Sequence, residues 1–488
     1  MATTTDTLPG RRLPLWVALS LSVATVGPTL AMSGNGQGLV STVGTAIPLV
    51  FVIGLVGVAL VGYSFVRLTR HLNHAGSAYA LVGVTIGPRT GFFSGFAMLG
   101  AYVGFSIGTL ALTGAFANSF LAEWHRGATE PKQLPWIVPV VVAAAASFLL
   151  SGRQARLLAK VLLAIEGIGI VAMLVLTAVI LARGGAHHTG MDLSVFSFSG
   201  VSVGAVLAGV VAAFLSWAGF EACASMGEET TDPERNIPRA IVGTLTLTGL
   251  LFVVVMYAQT IGFGTDKAGL DAFERSANTL GDLANSYIGE GFSLVVILTA
   301  TISAFGCHLA TAATSGRMLF AFSRDGFGPK ALAHIDPSSG GPRRATWLIV
   351  AAGVLVNMIC WLTGWPAATT GNPAIDAYFL FAVAGSVCLM VCYLLVELAA
   401  MWFVGAPRFN AVHGGTGKVA GLLLPATGVA VILAVLWFSV KDSAGLLEPP
   451  LLGLYWCAAG LAIAIAASGV ADRVGAALAA EVGLPELR

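Results

Sequence analysis

The chain has 488 residues, of which 56% are hydrophobic and 10% charged, with a mean hydropathy of +0.86 and a formal net charge of +1. A soluble domain carries roughly 25% charged residues, so this chain cannot cover itself with polar surface, and lipid must do so. The near-zero charge gives nucleic acid or an acidic partner nothing to grip. Apolar runs long enough to cross a ~30 Å hydrocarbon core fall near 15–38, 45–66, 92–122, 135–152, 158–181, 202–227, 238–262, 292–322, 346–365, 374–404, 419–440 and 449–470. These predict an all-α integral membrane protein of about twelve spans. Arg11 and Arg12 before the first run are read as a positive flank rather than an export signal, because further spans follow directly. The cysteines (Cys223, Cys307, Cys360, Cys388, Cys392, Cys457) fall inside apolar runs without a CxxC pair, and are expected to pack rather than bond or bind metal.

Placement of Lys and Arg predicts the orientation. With the N-terminus inside, 19 of the 25 fall on the cytoplasmic side and 6 outside. An even number of spans then leaves cytoplasmic tails at 1–14 and 471–488, in the plasma or inner membrane.

Two spans carry interruptions. The first contains Pro28, then Met32-Ser33-Gly34-Asn35-Gly36-Gln37-Gly38, and three glycines in five residues make a poor helix. The sixth contains Ser216-Trp217-Ala218-Gly219-Phe220-Glu221, a carboxylate at membrane depth. Irregular backbone is tolerated in a membrane only inside protein or around a cavity. Breaks five spans apart are expected of a five-plus-five inverted repeat, with a core over 15–404 (halves about 15–181 and 202–404) and two added helices over 405–470. Freed amides at the first break suit a carboxylate, and freed carbonyls at the second suit an ammonium group. The competing reading is that the glycines only let helices cross closely.

The stretch Phe214 to Ala222, followed by Gly227-Glu228-Glu229-Thr230-Thr231-Asp232-Pro233-Glu234-Arg235-Asn236-Ile237-Pro238-Arg239-Ala240, resembles the sixth-span signature of the amino acid–polyamine–organocation permeases. Gly316-Arg317-Met318-Leu319-Phe320-Ala321-Phe322-Ser323-Arg324-Asp325-Gly326 and Ala75-Gly76-Ser77-Ala78-Tyr79 resemble two further motifs of that family. The resemblance implies secondary transport of an amino acid or related amine by alternating access. It carries Met32, Ser33, Gly34, Asn35 and Gly36 onto the site of the substrate carboxylate, and Trp217, Ala218 and Gly219 onto that of the amine. Trp217 takes the aromatic position that closes over substrate, with helix packing as the alternative. Asn35 departs from the family's usual small residue and could read a polar group.

Ionisable side chains at membrane depth are functional candidates. Glu221 is expected to hold the broken sixth span. Glu166, with Lys160 nearer the membrane edge, and His308 are candidates for coupling to protons, against a snorkelling Lys, a structural Glu and a packed His. Ser303, Thr311 and Thr314 could ligate sodium, but such hydroxyls commonly bond back to the preceding turn; the coupling ion is therefore read as the proton. Glu228, Glu229, Asp232, Glu234, Arg235 and Arg239 could lock an inner gate with Arg67 or Arg70. No reactive constellation for a membrane enzyme and no pore-loop repeat is present. The reading is a proton-coupled permease with no cofactor and no metal. A sodium symporter, an exchanger or a transporter-derived sensor remain alternatives.

Overall fold

The computed structural model describes residues 13–72, 77–126, 134–150, 155–186, 190–226, 230–324, 326–336, 341–367, 369–405, 415–441, 443, 445–466, 469 and 472–473. Arg11, Arg12, Ala75, Gly76, Gly227, Glu228, Glu229 and Asp325 lie outside the described residues, as do 1–12 and 474–488 of the two tails.

The helices in chain order are α1 (Leu15–Val26), α2 (Pro28–Gly34), α3 (Val40–Val43), α4 (Ile47–Thr69), α5 (Ser77–Thr85), α6 (Pro88–Trp124), α7 (Ile137–Leu150), α8 (Ala155–Arg183) and α9 (Val203–Trp217). They continue as α10 (Pro233–Phe263), α11 (Lys267–Arg275), α12 (Thr279–Tyr287), α13 (Glu290–Arg324), α14 (Arg343–Thr363), α15 (Pro373–Gly405), α16 (Gly415–Val440) and α17 (Pro449–Ala466). Among the described residues 11 helical spans are long and apolar enough to cross a membrane, α1 and α2 together making the first. The shorter α7 completes the expected twelve. Its 14 described residues, Ile137–Leu150, make about 21 Å of helix, and Pro135 stands just before them.

The spans form an all-helical membrane fold, and α6 and α15 run through its middle. Both have 78% of their most apolar stretch buried inside the protein, against 28% and 22% for α16 and α17, which pack on the outside of the core. Small residues permit the central crossing. At Gly104 of α6 a Cβ would come within 2.7 Å of the Phe381 carbonyl, and at Gly385 of α15 one would come within 2.8 Å of the Ala101 carbonyl. On the face opposite the start of α1, the short helices α11 and α12 lie over the first span. Asp266 caps α11 through Gly269 N–H at 3.1 Å, and Asn278 caps α12 through Gly281 N–H at 2.8 Å.

Candidate substrate site at two broken spans

The first span breaks at Gly27. This residue adopts φ 58°, its N–H bonds back to the Val23 carbonyl at 3.1 Å, and Pro28 starts α2. Glycine tolerates the left-handed conformation, and a proline at the first helical position needs no N–H partner. The next two amides bond across to other spans: Thr29 N–H donates to Glu166 Oε1 at 2.7 Å and Leu30 N–H to Ser303 Oγ at 3.2 Å. The break thus lies about two turns before the expected one. At Ser33–Gly36 the chain stays helical, with Asn35 N–H bonded to the Ala31 carbonyl at 2.9 Å and Gly36 at φ −66°. The three glycines loosen it only to a 3-10 turn over Gln37–Leu39.

The sixth span breaks where expected. After α9, Ala218 is extended (φ −55°, ψ 125°), Gly219 takes φ 96°, and a 3-10 stretch runs over Ala222–Met226. Gly219 lies against α1, where a Cβ would come within 3.1 Å of Thr25 Cβ. Ser22 Oγ accepts from Cys223 N–H at 3.0 Å, so the two breaks sit side by side.

Between them is a cavity of about 20 Å³, room for one water and too small for an amino acid. Its wall comes from five spans: Thr25, Val26, Leu30, Ala31 and Asn35 on the first; Tyr102, Phe105 and Thr109 on α6; Leu215 and Ala218 on the sixth; Cys307 and Thr311 on α13; and Tyr378 on α15. Among the described residues no charged side chain lines it. Above it Asn35 joins three spans, donating to Ser216 Oγ at 2.8 Å and accepting from the Tyr378 hydroxyl at 2.6 Å. Beside it Tyr102 donates at 3.2 Å to Glu221, which also accepts from the Tyr393 hydroxyl at 2.8 Å.

Of the residues singled out in the sequence, Asn35, Ala218, Cys307 and Thr311 line the cavity, Gly219 backs it against Thr25, and Glu221 stands one bond behind it through Tyr102. The others face elsewhere. The Met32 carbonyl accepts from Gln259 Nε2 at 2.8 Å and Thr279 Oγ1 at 3.1 Å. Ser33 is buried with its hydroxyl unpartnered among the described residues. Gly34 packs on Leu112 and Phe116, and Gly36 on Phe273 and Met256. Trp217 is fully buried away from the cavity, its ring 5.6 Å from that of Phe51 and 5.4 Å from that of Phe252, because α9 turns this face toward α4 and α10. Glu166 reaches the first break, whereas Lys160 is exposed on α8 almost two turns earlier. His308 is buried against α6, its Nδ1 2.9 Å from the Ser106 carbonyl, and its neighbours Cys307 and Thr311 face the cavity instead. Thr311 and Thr314 bond their own helix, at 2.7 Å to the Cys307 carbonyl and 2.9 Å to the Ala310 carbonyl.

Sequence reasoning missed Tyr102, Tyr378 and Tyr393. The signal available was that each is a phenol in the middle of an apolar run, in a chain with 8 tyrosines; a buried phenol usually needs a partner. The described residues of the inner-gate run form no ion pair with Arg67, which donates to the Tyr63 hydroxyl at 2.6 Å and the Gly417 carbonyl at 3.3 Å. Among the described residues no three His, Cys, Asp or Glu side chains are grouped to hold a metal ion.

Paired helix breaks facing one central cavity are the arrangement of a membrane transport protein. The amino acid permease family model matches residues 13–462, and the chain belongs to that family. It is 23% identical over 424 residues to the low-affinity putrescine importer of Escherichia coli (strain K12), covering 85% of this chain and 84% of that one. It is 22% identical to the branched-chain amino acid permease of Lactococcus lactis subsp. cremoris, over 70% of this chain and 74% of that protein. The methylthioribose transporter of Bacillus subtilis is 23% identical, over 70% of this chain and 72% of its own length. The chain is therefore a transporter and not an enzyme, and its family and relatives mark it as a carrier of amino acids or amines.

Proposed function

We propose that the protein is a proton-coupled secondary transporter that carries an amino acid or related amine by alternating access in the plasma or inner membrane, with both termini cytoplasmic. The observation that carries this reading is the cavity shared by the breaks at Gly27 and at Ala218–Gly219. A substrate amine fits the bared carbonyls at the end of α1 and the extended backbone at Ala218. A substrate carboxylate fits the amides at the start of α2 once Glu166 moves off Thr29. Because the cavity holds only a water, admission requires the first and sixth spans to move. In this account they rock with α4 and α10 against the remaining spans.

Proton rather than sodium coupling is supported by where the polar groups point. The Ser303 hydroxyl is taken up by Leu30 N–H, and the Thr311 and Thr314 hydroxyls by their own helix. The group placed to respond at the break is a carboxylate, Glu166. The Lys and Arg ratio of 19 to 6 supports the orientation.

The test is counterflow in proteoliposomes with a panel of radiolabelled amino acids and amines, headed by leucine and putrescine. Exchange of internal for external label, unaffected by removing sodium and responsive to a pH gradient, is expected. Saturable binding without exchange would make the protein a sensor. Strict sodium dependence would overturn the coupling.

A further inference from the structure

Glu397, on α15, takes no part in the site described above. It is fully buried, and the Ser64 hydroxyl of α4 donates to its Oε2. Its other oxygen, Oε1, is buried without a partner. From α16, Gly428 comes directly against the carboxyl group, leaving it no space on that side. Among the described residues no Lys or Arg pairs with it. The titratable groups on the elements packed here include Tyr63 and Arg67 of α4, Tyr79 of α5, Arg89 and Tyr102 of α6, Lys418 of α16, and Tyr455 and Cys457 of α17, with Cys388, Cys392 and Tyr393 on α15 itself. Arg67 is directed to Tyr63 and to the Gly417 carbonyl, at the end of α4. An ionised carboxylate in such apolar surroundings, with no opposing charge, is costly to maintain.

A second feature connects this residue to the cavity. Tyr393 lies one helical turn before Glu397 on the same side of α15. Its hydroxyl donates to Glu221, which also accepts from Tyr102 in the cavity wall. Polar groups therefore lead from the cavity through Tyr102, Glu221 and Tyr393 to Glu397 and Ser64, toward the face on which α1 begins. The rings of Phe65 and Phe220, 5.9 Å and 5.7 Å from that of Tyr393, pack around the line in an apolar setting.

We infer that Glu397 is a proton-carrying carboxyl group of the transport cycle, holding its proton while α4 and α15 are closed on each other and releasing it when the face on which α1 begins opens. On opening, water reaches Oε1. The carboxyl O–H bond breaks, the proton leaves as hydronium, and the electron pair stays on the carboxylate, which water then solvates. As that face closes, the carboxylate is reprotonated by a proton that enters from the opposite face by way of the cavity and the Tyr102, Glu221 and Tyr393 line, so that one proton crosses per cycle before the group is sealed between Ser64 and Gly428. The inference rests on the proton-coupled reading and adds to it the group that releases the proton.

The test uses the full-length protein in proteoliposomes loaded with a fluorescent pH dye, with radiolabelled leucine and radiolabelled putrescine assayed separately. Wild type is expected to acidify the lumen as it accumulates substrate. Glu397→Gln, which keeps the shape and the bond from Ser64, should exchange label as wild type does while substrate-driven acidification is lost. Ser64→Ala, which keeps the carboxyl group, should retain acidification and shift the pH of half-maximal uptake. Acidification by Glu397→Gln at the wild-type rate overturns this inference and leaves proton coupling standing. Exchange by wild type without acidification overturns proton coupling and this inference with it. Loss of exchange and acidification together in a Glu397→Gln protein that melts normally also overturns it, since the residue would then serve binding. If Glu397→Gln does not fold, Ser64→Ala decides, and an unchanged pH profile counts against the inference.

Discussion

Replacing Glu166 separates its service to the fold from its service to transport. Its Oε1 accepts from Thr29 N–H at 2.7 Å, in a site where Glu166 is 5% exposed and Thr29 1%. A hydrogen bond to a charged group is worth about 1.5–3 kcal/mol, and a buried donor left without a partner costs about 1–3 kcal/mol. These overlap, because losing the bond is what strands the donor. Glu166→Ala should therefore destabilise by about 2–3 kcal/mol. Glu166→Gln keeps a carbonyl oxygen that can accept from the same amide, and should cost about 1 kcal/mol or less. The assay is thermal unfolding of purified protein in one detergent, read by intrinsic fluorescence and supported by urea titration where unfolding reverses. The Ala variant should melt several degrees below wild type and the Gln variant close to it. Uptake should separate differently, with both variants losing its response to a pH gradient. Equal melting temperatures for wild type and Glu166→Ala would refute the capping argument. A Gln variant that keeps full pH-driven accumulation would remove Glu166 from coupling.

Asn35→Ala removes both bonds that join the first span to Ser216 and Tyr378. We expect a loss of about 2 kcal/mol in stability and a rise in KM of roughly tenfold or more, measured by melting and by initial uptake rates; an unchanged KM would take Asn35 out of the substrate path. Gly36→Leu introduces a side chain whose Cβ alone would come within 2.8 Å of Phe273 and 2.9 Å of Met256. Overpacking of this kind costs about 1–3 kcal/mol, so uptake and melting temperature should fall together, and a stable but inactive protein would argue that Gly36 touches substrate. Arg89 holds the Asp472 carboxyl below its usual range across an exposed bidentate pair at 2.8 and 2.9 Å. A lowered folded value lends stability above the unfolded one that is lost as pH falls, but both side chains stand in solvent, 60% and 43% exposed. Asp472→Asn should leave the melting temperature at neutral pH unchanged within error.

The helical membrane architecture was legible in the sequence because a run of apolar residues leaves lipid as its only solvent. The position of the first break was not. Three glycines between Gly34 and Gly38 look weaker than the single pair Gly27-Pro28, yet Gly27 combines a left-handed turn with a residue that cannot extend a helix. Local composition thus misjudged where backbone bonds would lapse, and tertiary partners decided it: Glu166 and Ser303 await the freed amides of Thr29 and Leu30, whereas Gly34 and Gly36 serve close packing. The sixth break was read correctly in place, since the family motif marks it. The facing of its side chains was not, because the roll of α9 that buries Trp217 against Phe51 and Phe252 depends on helices distant in sequence. Contacts such as Tyr393 to Glu221, 172 residues apart, leave no trace in spacing along the chain.

Cys307 offers the most direct test that substrate occupies the space between the breaks, because it lines the cavity and its Sγ lies 3.9 Å from the Thr25 carbonyl. In a protein retaining Cys307 as its single cysteine, the rate of alkylation by N-ethylmaleimide should fall as leucine or putrescine, whichever is exchanged, is added, with half-protection at the concentration that half-saturates counterflow. Exchange that proceeds while Cys307 is alkylated at an unaltered rate would place the substrate elsewhere and contradict the account.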